Sequence, residues 1–158
     1  MVIPMWKSLP FCLAALIMAS VAQAAEPWER WLLVKSGDGA WGYNAKSIKA
    51  GATPGTKSVR WAQYALTPVK YEAGDWSFAL SDTRFNCKAK TYTTFAMLML
   101  DRDVKAIDVI TPNIEHPLPK SGALASLHKI VCRSGALKGA REVNSIETVF
   151  DDLKALAR

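Results

Sequence analysis

Short runs of alternating apolar and polar residues fill the chain up to about residue 110, and the period changes after Pro112. Trp31-Leu32-Leu33-Val34 is an apolar run, Gly37-Asp38-Gly39 is turn chemistry, and Ala40-Trp41-Gly42-Tyr43 reads as the returning strand, with Trp41 and Tyr43 on one face. Asn44 to Ile48 predicts a turn or a single helical turn, and Gly51, Pro54 and Gly55 mark a loop. Lys57 to Leu66 alternates most clearly. Val59, Trp61, Gln63 and Ala65 share one face; Ser58, Arg60, Ala62, Tyr64 and Leu66 share the other. Neither face is purely polar, which predicts a central strand covered on both sides. Thr67 to Asp75 reads as a loop whose Val69 and Tyr71, with the following Trp76, are expected to pack, because large apolar side chains are more often covered than displayed. Ser77 to Cys87 and Thr91 to Leu100 form the next pair, turning at Lys88-Ala89-Lys90. Phe95 to Leu100 is apolar throughout, as in a strand buried on both faces. Asp101-Arg102-Asp103 turns the chain again, and Val104 to Ile110 returns. The result is about six strands in meander order, hence an antiparallel sheet.

Helical spacing takes over downstream. Pro117 and Pro119 stiffen a connector that cannot enter a central ladder. Ser121 is the expected N-cap of a helix in which Leu124, Leu127 and Val131 recur on one face up to Cys132, and Ser134-Gly135 ends it. A second helix is expected with Asn144 as N-cap and Glu147 three residues on, the capping-box spacing. Its Ile146, Val149, Phe150, Leu153 and Leu156 form a stripe that either docks on the sheet or the first helix, or serves a partner. The fold class is α+β: an antiparallel sheet of about six strands, a tethered helix and an additional C-terminal helix.

The first residues change the cysteine arithmetic. Met1 to Lys7 carries one positive charge, Leu9 to Val21 is almost wholly apolar, and Ala22-Gln23-Ala24 has the small-x-small pattern of a cleavage site. The apolar run is shorter than the roughly 20 residues a span requires, and Pro10 interrupts it. Residues 1–24 therefore read as a secretory signal peptide and 25–158 as one exported domain, destined for the periplasm or the outer cell surface. Cys12 leaves with the signal, so Cys87 and Cys132 form an even pair in an oxidising compartment and are expected to bridge. Chain entropy gives such a closure about 4 kcal/mol as an upper figure. It would tie the end of a strand to the end of a helix. The formal charge of +6 is dispersed among acids and reads as a solubilising surface.

Catalytic chemistry is hard to assemble from these residues. Ser126 and His128 lie two apart on one helix and do not face each other. His116, between Glu115 and Pro117, reads as a solvated connector residue. Two cysteines and two separated histidines lack zinc spacing, and Asp101, Asp103 and Asp108 lack the loop glycine and bidentate glutamate of a calcium loop. No nucleophile elbow, metalloprotease helix or phosphate loop appears. The expectation is a protein without catalysis, cofactor or metal. The candidate binding residues are Arg84, Lys88 and Lys90, at the corner the bridge would hold rigid, with Lys88 and Lys90 projecting to one side of an extended turn.

One ordered set of features goes further. Trp31-Leu-Leu-Val is followed by Gly42-Tyr43-Asn44-Ala45-Lys46-Ser47-Ile48, then Val59-Arg60-Trp61 with Tyr64, then Arg84-Phe85-Asn86-Cys87 with Thr91-Tyr92, and last Leu124 to Cys132. From Trp28 to Cys132 this resembles the bacterial surface-adhesin protein E-like family. The resemblance implies a small antiparallel sheet with a helix fastened by the disulfide, export, and binding of host-matrix and serum proteins. The helix after Asn144 runs past the family's usual end, and no ligand-binding motif transfers residue by residue. Two functions follow: an envelope or surface module that binds a host-matrix or envelope protein or an acidic polymer, with no role for nucleic acid; or a periplasmic accessory protein acting through self- or partner-association.

Overall fold

The computed structural model describes residues 29–37 and 39–158; the predicted signal peptide lies outside them. Among the described residues nine strands make one sheet in which every pairing is antiparallel. They are β1 (Trp31–Ser36), β2 (Gly39–Asn44), β3 (Lys49–Ala50), β4 (Thr56–Val69), β5 (Trp76–Asn86), β6 (Thr91–Leu100), β7 (Ala106–Ile110), β8 (Glu115–Pro117) and β9 (Arg141–Val143). Spatial order is β7-β6-β5-β4-β2-β1-β9, with β3 beside β4 and β8 beside β6. The meander is as the alternation predicts, but the count exceeds six. The additional strands, β3, β8 and β9, are two or three residues long, too short to show a period, and exist because a longer neighbour offers them a ladder. Pro117 enters β8 at the rim, paired with Thr91, where a missing N–H costs least.

β4 is central and covered on both sides. Val59 and Trp61 join Trp41, Tyr43 and Phe85 under the first helix, α1 (Ala123–Arg133), with its Leu127, Ile130 and Val131. Ala62 and Tyr64 join Trp31, Leu33, Ala40, Phe78 and Leu100 under the second, α2 (Ile146–Ala157), with its Val149, Leu153 and Ala157. Each helix takes one face of the sheet, so the stripe of α2 is spent on its own chain. Gly42 makes this packing possible: a Cβ there would collide with the Leu33 side chain and the Leu32 carbonyl.

Several local expectations are corrected. The first helix is capped by Gly122, not Ser121; Gly122 has φ +91° and supplies no side-chain cap. The second is capped by Ser145, whose Oγ accepts from the Glu147 N–H, and not by Asn144. The buried Glu29 carboxylate accepts from the Ile146 N–H at 2.6 Å, placing a negative charge at the positive end of the helix dipole. β6 is not buried on both faces throughout. A register shift beside Asp82 and Thr83 leaves Phe95 unpaired and 37% exposed, because neither helix reaches that part of the sheet. Val69 and Tyr71 are also exposed, since β4 runs on to Val69 beyond the cover of α2, while Trp76 is half-buried.

Candidate functional site: a basic cleft at the disulfide corner

Cys87 follows the last residue of β5, and Cys132 lies in the last turn of α1. They are bonded, with Cα atoms 5.4 Å apart. The bridge is one of several ties at this corner. Lys57 Nζ donates to the Val131 carbonyl at 3.0 Å, meeting the negative end of the helix. Phe85 packs beneath α1, and inward of it Trp61 Nε1 donates to Thr83 Oγ1, which in turn shares a hydrogen bond with Thr94 Oγ1. A rigid corner follows from a covalent link, a helix-end hydrogen bond and a buried polar chain acting together.

The turn after Cys87 is coiled rather than extended. Lys90 N–H donates to the Asn86 carbonyl, Asn86 Oδ1 accepts from Ala89 N–H, and Lys90 takes φ +57°. This sends Lys90 to the α1 side, while Lys88 stays exposed in the turn, outside the lining of the cleft. Arg84 goes the other way. Successive strand residues face opposite sides, so with Phe85 under α1 it projects from the opposite face, into a cleft shared with Thr53, Thr93 and Glu115. The structure does not bring the three predicted residues together.

Lys90 instead meets three other cations, Lys120, Lys129 and Arg133. A cleft of about 170 Å³ lies between the β5–β6 turn, the connector before α1 and α1 itself. Lys90, Lys120, Lys129 and Arg133 line it, with Leu118, Pro119, Ala125 and His128 forming its apolar wall and base. All four cations are exposed, and no carboxylate contributes to the lining. Lys129 and Arg133 are four apart on α1 and share a face, a spacing readable in advance; the contributions of Lys90 and Lys120 depend on how the connector folds back, where Leu118 N–H donates to the Lys90 carbonyl.

His128 is the titratable group of the cleft. It is 3% exposed and meets Phe85 edge-on at 5.8 Å. Burial pushes its pKa below the ordinary histidine value, and Arg133 and Lys90 push the same way; a hydrogen bond with the Cys87 backbone opposes them. Its Nε2 is buried with no hydrogen-bond partner. His116, by contrast, is exposed and stacks on Tyr92 at 5.6 Å.

Elsewhere the polar groups are largely occupied with each other. Arg60 makes a two-pronged pair with Asp82 at 2.8 Å for both contacts, on the sheet face that α2 leaves open. Asp101 Oδ1 accepts from the Asp103 and Lys105 N–H groups, the work of a hairpin tip. Among the described residues no helix is long and apolar enough to cross a membrane. Compared with protein-family models, curated proteins and solved structures, the chain matches none.

Proposed function

We propose that the protein is an exported, non-catalytic binding module of the cell envelope or outer surface, which takes an acidic polymer at the basic cleft. The observation carrying this reading is the convergence of Lys90, Lys120, Lys129 and Arg133, from three chain segments, on one cleft with no carboxylate in its lining. Like charges gathered this way repel and oppose folding. A surface that only needed solubility would intersperse its acids, as the chain does with Arg60–Asp82, Arg30–Glu142 and Arg141–Asp152. The disulfide supports export, because such bonds persist in oxidising compartments. It also holds the cleft in its binding shape beforehand, which lowers the ordering cost of association. The surface-adhesin protein E-like resemblance of Trp28 to Cys132 points the same way, towards an envelope protein that binds. Self-association through the last helix loses its main feature, because the α2 stripe is covered by the sheet.

Heparin binding across salt concentrations tests the reading. Changing Lys90, Lys120, Lys129 and Arg133 together to Ala should weaken binding at least tenfold. It should also flatten the plot of log affinity against log salt, by up to about one unit of slope per lost ionic contact. Arg84→Ala, on the opposite face, should leave both nearly unchanged. A quadruple variant that folds and binds heparin like the parent would overturn the reading.

A further inference from the structure

The rims of the sheet are not alike. β3 is two residues long and carries Lys49, and β8 is three residues long, with Glu115, His116 and Pro117. β9 is also three residues long, and its Arg141 and Glu142 are held in ion pairs with Asp152 and Arg30. Short length, charge and proline are the usual means by which an edge avoids pairing with another strand. β7 is built differently. It runs for five residues, Ala106-Ile107-Asp108-Val109-Ile110, with one charge among four apolar side chains. Among the described residues no strand pairs with its outer side.

The apolar layer beneath α2 runs out to this edge. Ala62, Leu80, Leu98 and Val109 are successive register partners across β4, β5, β6 and β7, so they form one row on one face. Ala62 is buried, Leu80 and Leu98 are half-buried, and Val109 is 65% exposed. The helices explain this gradient: α2 packs chiefly on β1, β2 and β4, and α1 on β4 and β5, so cover thins towards β7.

We infer that β7 is a self-pairing edge, to which a second copy of this chain adds its own β7, antiparallel, about a two-fold axis at Val109. A two-fold that sets a strand beside itself stands perpendicular to the sheet. Side chains therefore keep their face, and each register is centred on one residue. Centring on Asp108 opposes two carboxylates, which is unfavourable, and centring on Ile107 sets Val109 against Lys105. Centring on Val109 opposes the two valines, with Asp108 against Ile110 and Ile107 against Thr111, and Pro112, lacking an N–H, ends the ladder. The row then runs unbroken from Leu80 and Leu98 through both Val109 side chains to Leu98 and Leu80 of the second copy. Asp108 stays out of it, because it alternates to the other face, where its Oδ2 accepts from the Tyr71 hydroxyl. Its Oδ1 accepts from the Val109 N–H, a bond that pairing exchanges for a carbonyl of the second copy. That exchange and the short ladder make the association weak and reversible. None of the residues lining the basic cleft belongs to β7, so the inference stands apart from the acidic-polymer reading.

Sedimentation velocity of the oxidised protein over a wide range of concentrations, with no polyanion present, tests it. A monomer–dimer equilibrium should appear as concentration rises. Val109→Lys puts two ammonium groups across the axis and should raise the dimer dissociation constant about tenfold or more, with circular dichroism confirming the fold. Val109→Cys should cross-link two copies under mild oxidation, whereas Thr111→Cys, away from the axis, should not. Should Val109→Lys fail to fold, the two cysteine variants decide. A chain that stays monomeric throughout overturns the inference and leaves this edge to a strand of another protein. A dimer indifferent to Val109→Lys, or one that cross-links in Thr111→Cys and not in Val109→Cys, overturns it as well.

Discussion

His128 illustrates how one residue's surroundings set its chemistry. The unfolded chain protonates this imidazole near its ordinary value of 6.5, whereas the folded protein resists protonation through burial, Arg133 and Lys90. Its folded pKa is therefore the lower of the two. The corresponding stability is complete above about pH 6.5 and is lost as pH falls through the folded value, because the unfolded state binds the proton first. Denaturant midpoints measured between pH 7.5 and 5.5 should fall for the parent and fall less steeply for His128→Phe. Equal slopes would mean that the imidazole is not the group responsible. From its own stretch of sequence His128 is a helix residue and nothing more. Its neighbours Lys90 and Phe85 lie far back along the chain, and helical period says nothing about them.

At the scale of elements, the disulfide joins β5 to α1 across 45 residues of chain. That separation makes the unfolded ensemble much larger once the link is removed. Replacing both cysteines by Ser should lower stability by about 2–4 kcal/mol, measured by urea denaturation against the oxidised parent. An unchanged midpoint would mean that Lys57, Phe85 and the Trp61–Thr83–Thr94 chain hold the corner without it. The pairing itself was readable, because an expected signal peptide would take Cys12 with it and leave two cysteines that can form only one bond. Helix positions were readable from their stripes, but the caps were not. Ser121, Gly122, Asn144 and Ser145 are all plausible starts locally. Gly122 and Ser145 prevail because of where the connector and β9 deliver the chain, and because Glu29 reaches the Ile146 N–H from 117 residues away.

At the scale of the whole molecule, the described residues form a single sheet between two helices, each covering a different part of a different face. This leaves Phe95 and the Arg60–Asp82 pair on open sheet and puts the cations at one corner. If the domain works outside the cytoplasm, intact-mass analysis of the exported product should give a chain beginning at Ala25, within a residue or two. A product retaining Met1 to Ala24 would contradict export by cleavage. The antiparallel meander, the central place of β4, the two helical stripes and the cysteine pair were all legible beforehand, since each follows from local period, turn chemistry or covalent count. The three shortest strands, the face each helix occupies and the meeting of Lys90 with Lys120, Lys129 and Arg133 were not. Each of these depends on packing between residues distant in the chain. Lys90 and Arg84 show the difference: equally basic and six residues apart, they part to opposite faces because one ends a coiled turn and the other alternates with Phe85 along a strand.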